Sequence, residues 1–144
     1  METLSNIYNA FINTVGPGGV LLIIFMLLIG VVAKWKLFAK ADQPALAAFI
    51  PIYDLIAALR MVGRPDKHIL YFLIPVFNVF FGFKLLIEVA QSFGKFQKVD
   101  YFLVVLFNIF YMFNLGLSYE EEYEGPVYGK PIEDLKLRHS QQLA

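Results

Sequence analysis

Long apolar runs alternate with short polar segments along the chain. Residues 15–33 contain no charged side chain, and at about 1.5 Å per residue such a helix would reach roughly 28 Å, the thickness of a hydrocarbon core. Three further apolar runs cover residues 45–62, 69–92 and 99–117. The pattern predicts helices at 18–33, 69–92 and 99–117, and a short or re-entrant helix at 45–62.

The ends of the chain differ from this central part. Gly16, Pro17, Gly18 and Gly19 interrupt any helix formed by the first residues, because proline lacks an amide donor and glycine is flexible. Residues 1–17 are therefore predicted to lie along the membrane interface, and residues 18–118 to form a helical membrane domain. Residues 119–144 are predicted to form a polar, partly flexible tail.

A motif occurs twice with an offset of 24 residues. The sequence FIPIYDL at 49–55 corresponds to LIPVFNV at 73–79, and the same offset relates Arg60 to Lys84. Each copy places a proline, Pro51 or Pro75, where it starts or kinks a helix. Paired broken helices occur at transporter sites, but the more economical interpretation is that the prolines bend helices that Asp54 and Asn78 cap or cross-link.

Composition agrees with a lipid environment. Of the 144 residues, 58% are hydrophobic and 17% are charged, a balance that a soluble domain of this size could not bury. The 12 basic and 12 acidic side chains cancel, so nothing indicates nucleic acid. The fold class predicted is all-α, a polytopic membrane protein with three to four transmembrane or re-entrant helices.

Basic residues predict the orientation. If 45–62 is re-entrant and the N-terminus is outside, the tail and most of the cations lie on the cytoplasmic side. This agrees with the positive-inside rule. Lys95 and Lys98 would then be external. The cytoplasmic cations are Lys34, Lys36, Lys40, Arg60, Arg64 and Lys67. A fourth full crossing at 45–62 remains an alternative.

Polar side chains within apolar runs are the candidate functional residues, because their burial in lipid is costly unless they are paired. They are Asp54, Arg60, Asn78, Lys84, Glu88 and Asn108. One hypothesis pairs Asp54 with Lys84 or Arg60 on an ion path. The simpler hypothesis pairs Lys84 with Glu88 on the surface and joins Asn78 to Asn108 by a hydrogen bond between helices.

Other chemistry is weakly indicated. His68 and His139 have no neighbouring ligand residues in sequence and are expected to face solvent, so no metal site or cofactor is predicted. Ser92 and Lys95 do not form a convincing catalytic dyad. An acidic cluster suggests a solvated face or a weak partner-docking site, and comprises Glu120, Glu121, Glu122 and Glu124.

Five motifs in order resemble a bacterial membrane family of unknown function, whose members occur alone or fused ahead of signal peptidase I catalytic domains. The motifs are WKL at 35–37, AFIPIYD at 48–54, VGRP at 62–65, LIPVFN at 73–78 and SFGK at 92–95. The resemblance covers about residues 21–129. Family members usually carry asparagine at the position of Asp54, so an ionisable group replaces an amide here.

The resemblance implies a location beside protein export in the bacterial cytoplasmic membrane, with the tail in the cytoplasm. We therefore expect a non-catalytic scaffold or accessory subunit of a membrane complex, whose partners are lipid and other membrane subunits or a second copy. The alternative expectation is a small oligomeric carrier or channel that uses Asp54 and the broken helices.

Overall fold

All the regular secondary structure of the chain is helical. The structure, a computed structural model, describes residues 1–144, and contains no strand. Its α-helices are α1 (Glu2–Lys40), α2 (Pro51–Val62), α3 (Pro75–Gln91), α4 (Lys98–Leu106), α5 (Asn108–Leu117) and α6 (Ile132–Leu143). Two 3₁₀ segments, Ala45–Phe49 and Asp66–Leu73, precede α2 and α3. The all-α prediction is confirmed.

The 24-residue repeat is a repeated structural unit. In each copy a 3₁₀ segment is followed by an extended isoleucine, Ile50 or Ile74, and then by a helix that begins at proline. Proline suits the first position of a helix because its missing amide would have no partner there. The prolines therefore begin helices and do not kink them, and the predicted helix 69–92 is a 3₁₀ segment followed by α3.

The predicted helix 99–117 is also divided. Helices α4 and α5 meet at Phe107, whose backbone is not helical (φ −113°, ψ 43°), and their axes differ in direction by 113°. A capping box between Gln97 and Asp100 fixes the start of α4. The run is long enough to cross a bilayer, but it folds into a helical hairpin instead.

Four helices end on one face of the molecule, which we call the tail face. Lys40, at the end of α1, donates hydrogen bonds to the carbonyl oxygens of Leu115, Ser118 and Glu121. At the end of α2, the carbonyl of Val62 accepts hydrogen bonds from the amides of Val127 and Tyr128.

The end of α3 completes the tail face, because the carbonyl of Ser92 accepts a hydrogen bond from the amide of Glu124. The segment of the polar tail between α5 and α6 therefore lies as a strap across these helix ends. Lys95 lies on the same face, where it donates a 2.6 Å hydrogen bond to Glu121. The prediction that Lys95 lies on the opposite side of the membrane from the tail was wrong.

Helices α1 and α5 run in the same direction. Gly30 faces Ile109, Ala33 contacts Gly116, and Lys40 reaches beyond Leu115 to the end of α5. Since α1, α2, α3 and α5 all end at the tail face, each intervening segment must first lead away from it. The chain after α1 consequently forms three hairpins that leave and return to the tail face, at residues 41–62, 64–91 and 97–117.

The hairpin tips lie beside the last third of α1. Trp35 packs edge-on against Phe49 at the first tip, with ring centroids 5.6 Å apart. Between the tips and the tail face, a core forms from the end of α1 together with α2, α3 and α5. Its members include Leu37, Phe38, Leu59, Met61, Val89 and Leu115. On the other side of the tips, none of residues 1–32 is buried.

Helix α1 is long and apolar enough to cross a membrane. No other single helix of the chain meets both conditions. Helices α4 and α5 would count as a second crossing only if the bent pair were one unit. The break predicted near Gly16 is present, because its φ of 70° and ψ of 167° interrupt α1. The residues before Gly16, from Glu2 onward, are nevertheless helical.

Candidate functional site

A cavity of about 330 Å³ lies between α1, α2, α3 and α5, close to the hairpin tips. Its walls are mainly apolar, with Leu55, Val79 and Phe83 among them. Polar groups reach it from all four helices, and they are Lys34, Asp54, Asn78 and Asn108. An apolar cavity with a few convergent polar groups is the usual form of a small-molecule site.

The repeat explains how two of these groups converge. Asp54 and Asn78 occupy equivalent positions in the first turns of α2 and α3. Their backbone amides donate hydrogen bonds to the carbonyl oxygens of Ile50 and Ile74, at 2.8 and 2.7 Å. Neither side chain caps its helix. Asp54 instead cross-links α2 to α1, whereas the sequence interpretation expected it to join the two helices of the repeat, and Asn78 forms no side-chain cross-link.

The partner of Asp54 is Lys34, whose Nζ lies 2.5 Å from Oδ2. The hypothesis that Asp54 pairs with Arg60 or Lys84 was therefore wrong. The carboxylate is mostly enclosed, with 17% of the side chain exposed, and its Oδ1 has no hydrogen-bond partner. Lys34 is a cavity residue that sequence reasoning missed, because it was assigned only to the cations at the cytoplasmic edge of the membrane.

Asn78 and Asn108 line the same cavity but do not bond to each other. The side-chain hydrogen bonds of the chain include none from either amide. The predicted Asn78–Asn108 cross-link is thus absent, and both amides keep their hydrogen-bonding capacity for another partner.

The remaining candidates lie elsewhere. Arg60 forms an exposed pair with Asp66, with nitrogen and oxygen 2.5 Å apart. Lys84 is exposed and has no ion-pair partner. The predicted surface pair of Lys84 and Glu88 is wrong, because Glu88 points into the protein and binds Arg64.

Arg64 and Glu88 form a buried bidentate ion pair. The Nε and one terminal nitrogen of Arg64 donate to the two carboxylate oxygens at 2.5 and 2.6 Å. The guanidinium also lies 4.4 Å from the ring centre of Tyr128 and 5.1 Å from that of Phe81. The hydrogen bond to Glu88 raises the pKa of Arg64, so this cation stays charged at every physiological pH.

His68 belongs to the same cluster and was wrongly predicted to face solvent. It is buried, stacks on Tyr71 and touches Tyr128 edge-on. Burial lowers the pKa of His68, and the positive charges of Arg64 and Lys67 lower it further, although Glu88 opposes them. The neutral ring is consequently favoured in the folded protein.

The acidic cluster is only partly available to a partner. Glu121 accepts a hydrogen bond from Lys95, and Glu124 pairs with His139, whereas Glu120 and Glu122 are exposed. Between them, the hydroxyl of Tyr123 donates to the carbonyl of Met61, and burial raises the pKa of this tyrosine. These contacts fasten the tail to the ends of α2 and α3.

The geometry supports neither a metal site nor a catalytic dyad of Ser92 and Lys95. No three His, Cys, Asp or Glu side chains lie close enough together to hold a metal ion. Ser92 donates its hydroxyl proton to the carbonyl of Glu88, one turn earlier in α3, and Lys95 binds Glu121. The hydroxyl and the ammonium are thus engaged with different partners.

Comparison with known proteins gives a family and no activity. A model described as a family of unknown function, DUF5684, matches residues 46–126, which include both copies of the repeat, the second and third hairpins and most of the strap. No curated protein and no solved structure matches the chain. The chain belongs to DUF5684, a family of unknown function.

Proposed function

We propose that the chain is a non-catalytic integral membrane scaffold or accessory subunit of a membrane complex, held by α1, with the tips of its three hairpins at the level of the head groups. The observation that carries the proposal is that the exposed apolar side chains are concentrated on one part of the surface. Apolar side chains at the hairpin tips and along α1 are exposed, and include Phe25, Phe49, Ile74, Phe80 and Phe110. Such a large apolar surface indicates lipid or another protein.

Charge supports one orientation. All 12 Lys and Arg residues follow residue 33, and the apolar part of α1 precedes it. Lys34 and Lys36 flank Trp35 where headgroups would lie. With the tail face toward the cytoplasm, the three hairpins approach the membrane from that side, and residues near the N-terminus lie outside. The motif resemblance favours the bacterial cytoplasmic membrane and a position beside protein export.

Helix α1 supports the role of a subunit. None of its residues up to Val32 is buried, so almost the whole circumference of an apolar helix is available. Interior contacts within this chain are confined to its last turns, where Ala33, Leu37 and Phe38 are buried. A helix with so few contacts inside its own chain is well suited to pack against another membrane helix.

Site-specific photocrosslinking in intact membranes tests this role. A photoreactive residue in place of Phe25, which is 59% exposed, should link the chain to one defined protein, either a second copy or another subunit. The matched position is Leu59 in α2, which is fully buried, and a probe there should react only within the chain. Lipid adducts alone at position 25, with a monomeric mass in mild detergent, would contradict the proposal.

A carrier or channel is the second candidate, and the polar cavity is the observation that favours it. Two features oppose it: Lys34 neutralises Asp54, and the hairpins around the cavity return to the face from which they start. Flux through proteoliposomes that depends on Asp54, and that Asp54→Asn abolishes, would support the carrier and remove the scaffold proposal.

A further inference from the structure

The four polar side chains of the cavity retain unused hydrogen-bonding groups. The ammonium of Lys34 has three donors, and the structure uses one of them, for Asp54. Oδ1 of Asp54 has no donor. The amides of Asn78 and Asn108 add donors and acceptors that no group in the chain satisfies. Oδ1 of Asp54 is the buried one among these atoms, and a buried acceptor without a donor is costly, so a ligand that donates to it would bind favourably.

The charges of the cavity specify the ligand. Lys34 and Asp54 place one positive and one negative group side by side, which suits a head group that carries both signs. The walls beyond them are apolar, and two of their members, Val79 and Phe83, are also exposed on the outer surface. An occupant would therefore have a zwitterionic head within the cavity and an apolar part that leaves along these side chains.

The position of the cavity specifies where such a ligand comes from. Lys34 belongs to the Lys34-Trp35-Lys36 segment, the pattern typical of the headgroup region. Asp54 and the Asn side chains reach the cavity at the same level, beside the hairpin tips. If α1 crosses the bilayer as proposed above, on which this step rests, the cavity opens where phospholipid head groups lie.

We propose that the cavity binds a zwitterionic aminophospholipid of the phosphatidylethanolamine type. The phosphate takes the free donors of Lys34, and the primary ammonium donates to Asp54 and to an Asn carbonyl oxygen. An acyl chain follows Val79 and Phe83 toward the hydrocarbon. Phosphatidylcholine has both charges, but its trimethylammonium cannot donate hydrogen bonds. Phosphatidylglycerol has donors but no cation.

Lipid retention by the purified chain tests the proposal. The protein in mild detergent is exposed to equal amounts of these three phospholipids with identical acyl chains, and the bound lipid is counted by native mass spectrometry. One phosphatidylethanolamine per chain should be retained in preference to the other two. Equal retention of the three lipids, stronger retention of phosphatidylcholine, or a copurified peptide in the cavity would overturn the proposal.

Asp54→Asn tests the charge pair. It keeps the size of the side chain, removes the partner of the lipid ammonium and leaves Lys34 free for an anion. Retention of phosphatidylethanolamine should fall about tenfold, the effect of one charge-assisted hydrogen bond, and phosphatidylglycerol should become the preferred lipid. Asp66→Asn is the matched control, since it breaks an exposed ion pair away from the cavity. An unchanged preference in Asp54→Asn would overturn the proposal.

Gly82→Leu tests the cavity itself. Gly82 lines the cavity within α3, and a Cβ atom there would make only an ordinary 3.9 Å contact with Phe72. The variant should keep its helix content, because leucine favours helix over glycine, while the added side chain fills the space and abolishes retention of phosphatidylethanolamine. A folded Gly82→Leu protein that still holds the lipid would place the lipid elsewhere.

Flotation with vesicles tests the lipid site separately from the proposal that α1 crosses the membrane, on which the lipid site rests. A chain that floats with vesicles but shows no headgroup preference refutes the lipid site alone. A chain that does not float refutes the membrane placement as well.

Discussion

Arg64 and Glu88 lie 24 residues apart and form a buried bidentate pair. This separation equals the offset of the repeat, so the pair joins equivalent positions of the two repeated units. Arg64 follows the end of α2, whereas Glu88 lies within the longer α3. One ion pair therefore fixes the second repeat against the first.

Removal of one member of this pair should be strongly destabilising. Glu88→Gln leaves the buried cation of Arg64 without its counter-charge, and we expect the free energy of unfolding to fall by about 3 kcal/mol. Asp66→Asn breaks the exposed pair with Arg60 and should lower the free energy of unfolding far less, because solvent screens exposed charges. Denaturant unfolding in mild detergent, followed by circular dichroism, measures both. Similar losses in the two variants would contradict the central role of the buried pair.

Acidification should destabilise the fold through His68. Its pKa is lower in the folded protein than in the unfolded chain, because burial disfavours the charged ring. The stability that the neutral ring contributes is present above about pH 6.5, the unfolded pKa, and is lost as the pH falls through the folded pKa. Melting temperatures measured at a series of pH values should decline more steeply for the native chain than for His68→Gln. Parallel curves would show that His68 is not the responsible group.

Close packing of α1 on α5 depends on Gly116. A Cβ atom at this position would overlap the carbonyl oxygen of Ala33, a backbone atom that cannot move aside cheaply. We expect Gly116→Ala to lower the free energy of unfolding by roughly 1–3 kcal/mol. Gly18→Ala is the matched control in α1, where a Cβ would meet nothing within 4 Å, and it should be neutral or slightly stabilising. Equal stability of the two variants would contradict the close approach of α1 and α5.

Local patterns in the sequence predict the helical units well. The apolar run 15–33 marks the candidate crossing, and the FIPIYDL and LIPVFNV motifs mark two identical starts of helices. Proline acts within a few residues of its own position, so these features can be recognised without tertiary information. The bend at Phe107 has no such marker, and the run 99–117 is equally suited to one straight helix.

Ion-pair partners could not be predicted in the same way. Lys84 and Glu88 have the spacing of a helix-surface pair, but α3 packs with Glu88 toward Arg64 and leaves Lys84 outside. Asp54 had several cations within reach along the chain, and the approach of α2 to α1 selects Lys34. The same packing gathers Asn78 and Asn108 at one cavity without a bond between them. These outcomes depend on how whole helices are rotated and placed, which no local spacing encodes.

The side of the membrane on which Lys98 lies tests most directly the claim that three hairpins return to the tail face. The chain contains no cysteine, so Ser5→Cys, Lys98→Cys and Gln141→Cys each supply one thiol for a membrane-impermeant maleimide. With α1 as the single crossing, positions 98 and 141 should be labelled from the same side and position 5 from the other. Labelling of position 98 from the side of position 5 would mean that a further segment crosses the bilayer, and would contradict the hairpin arrangement.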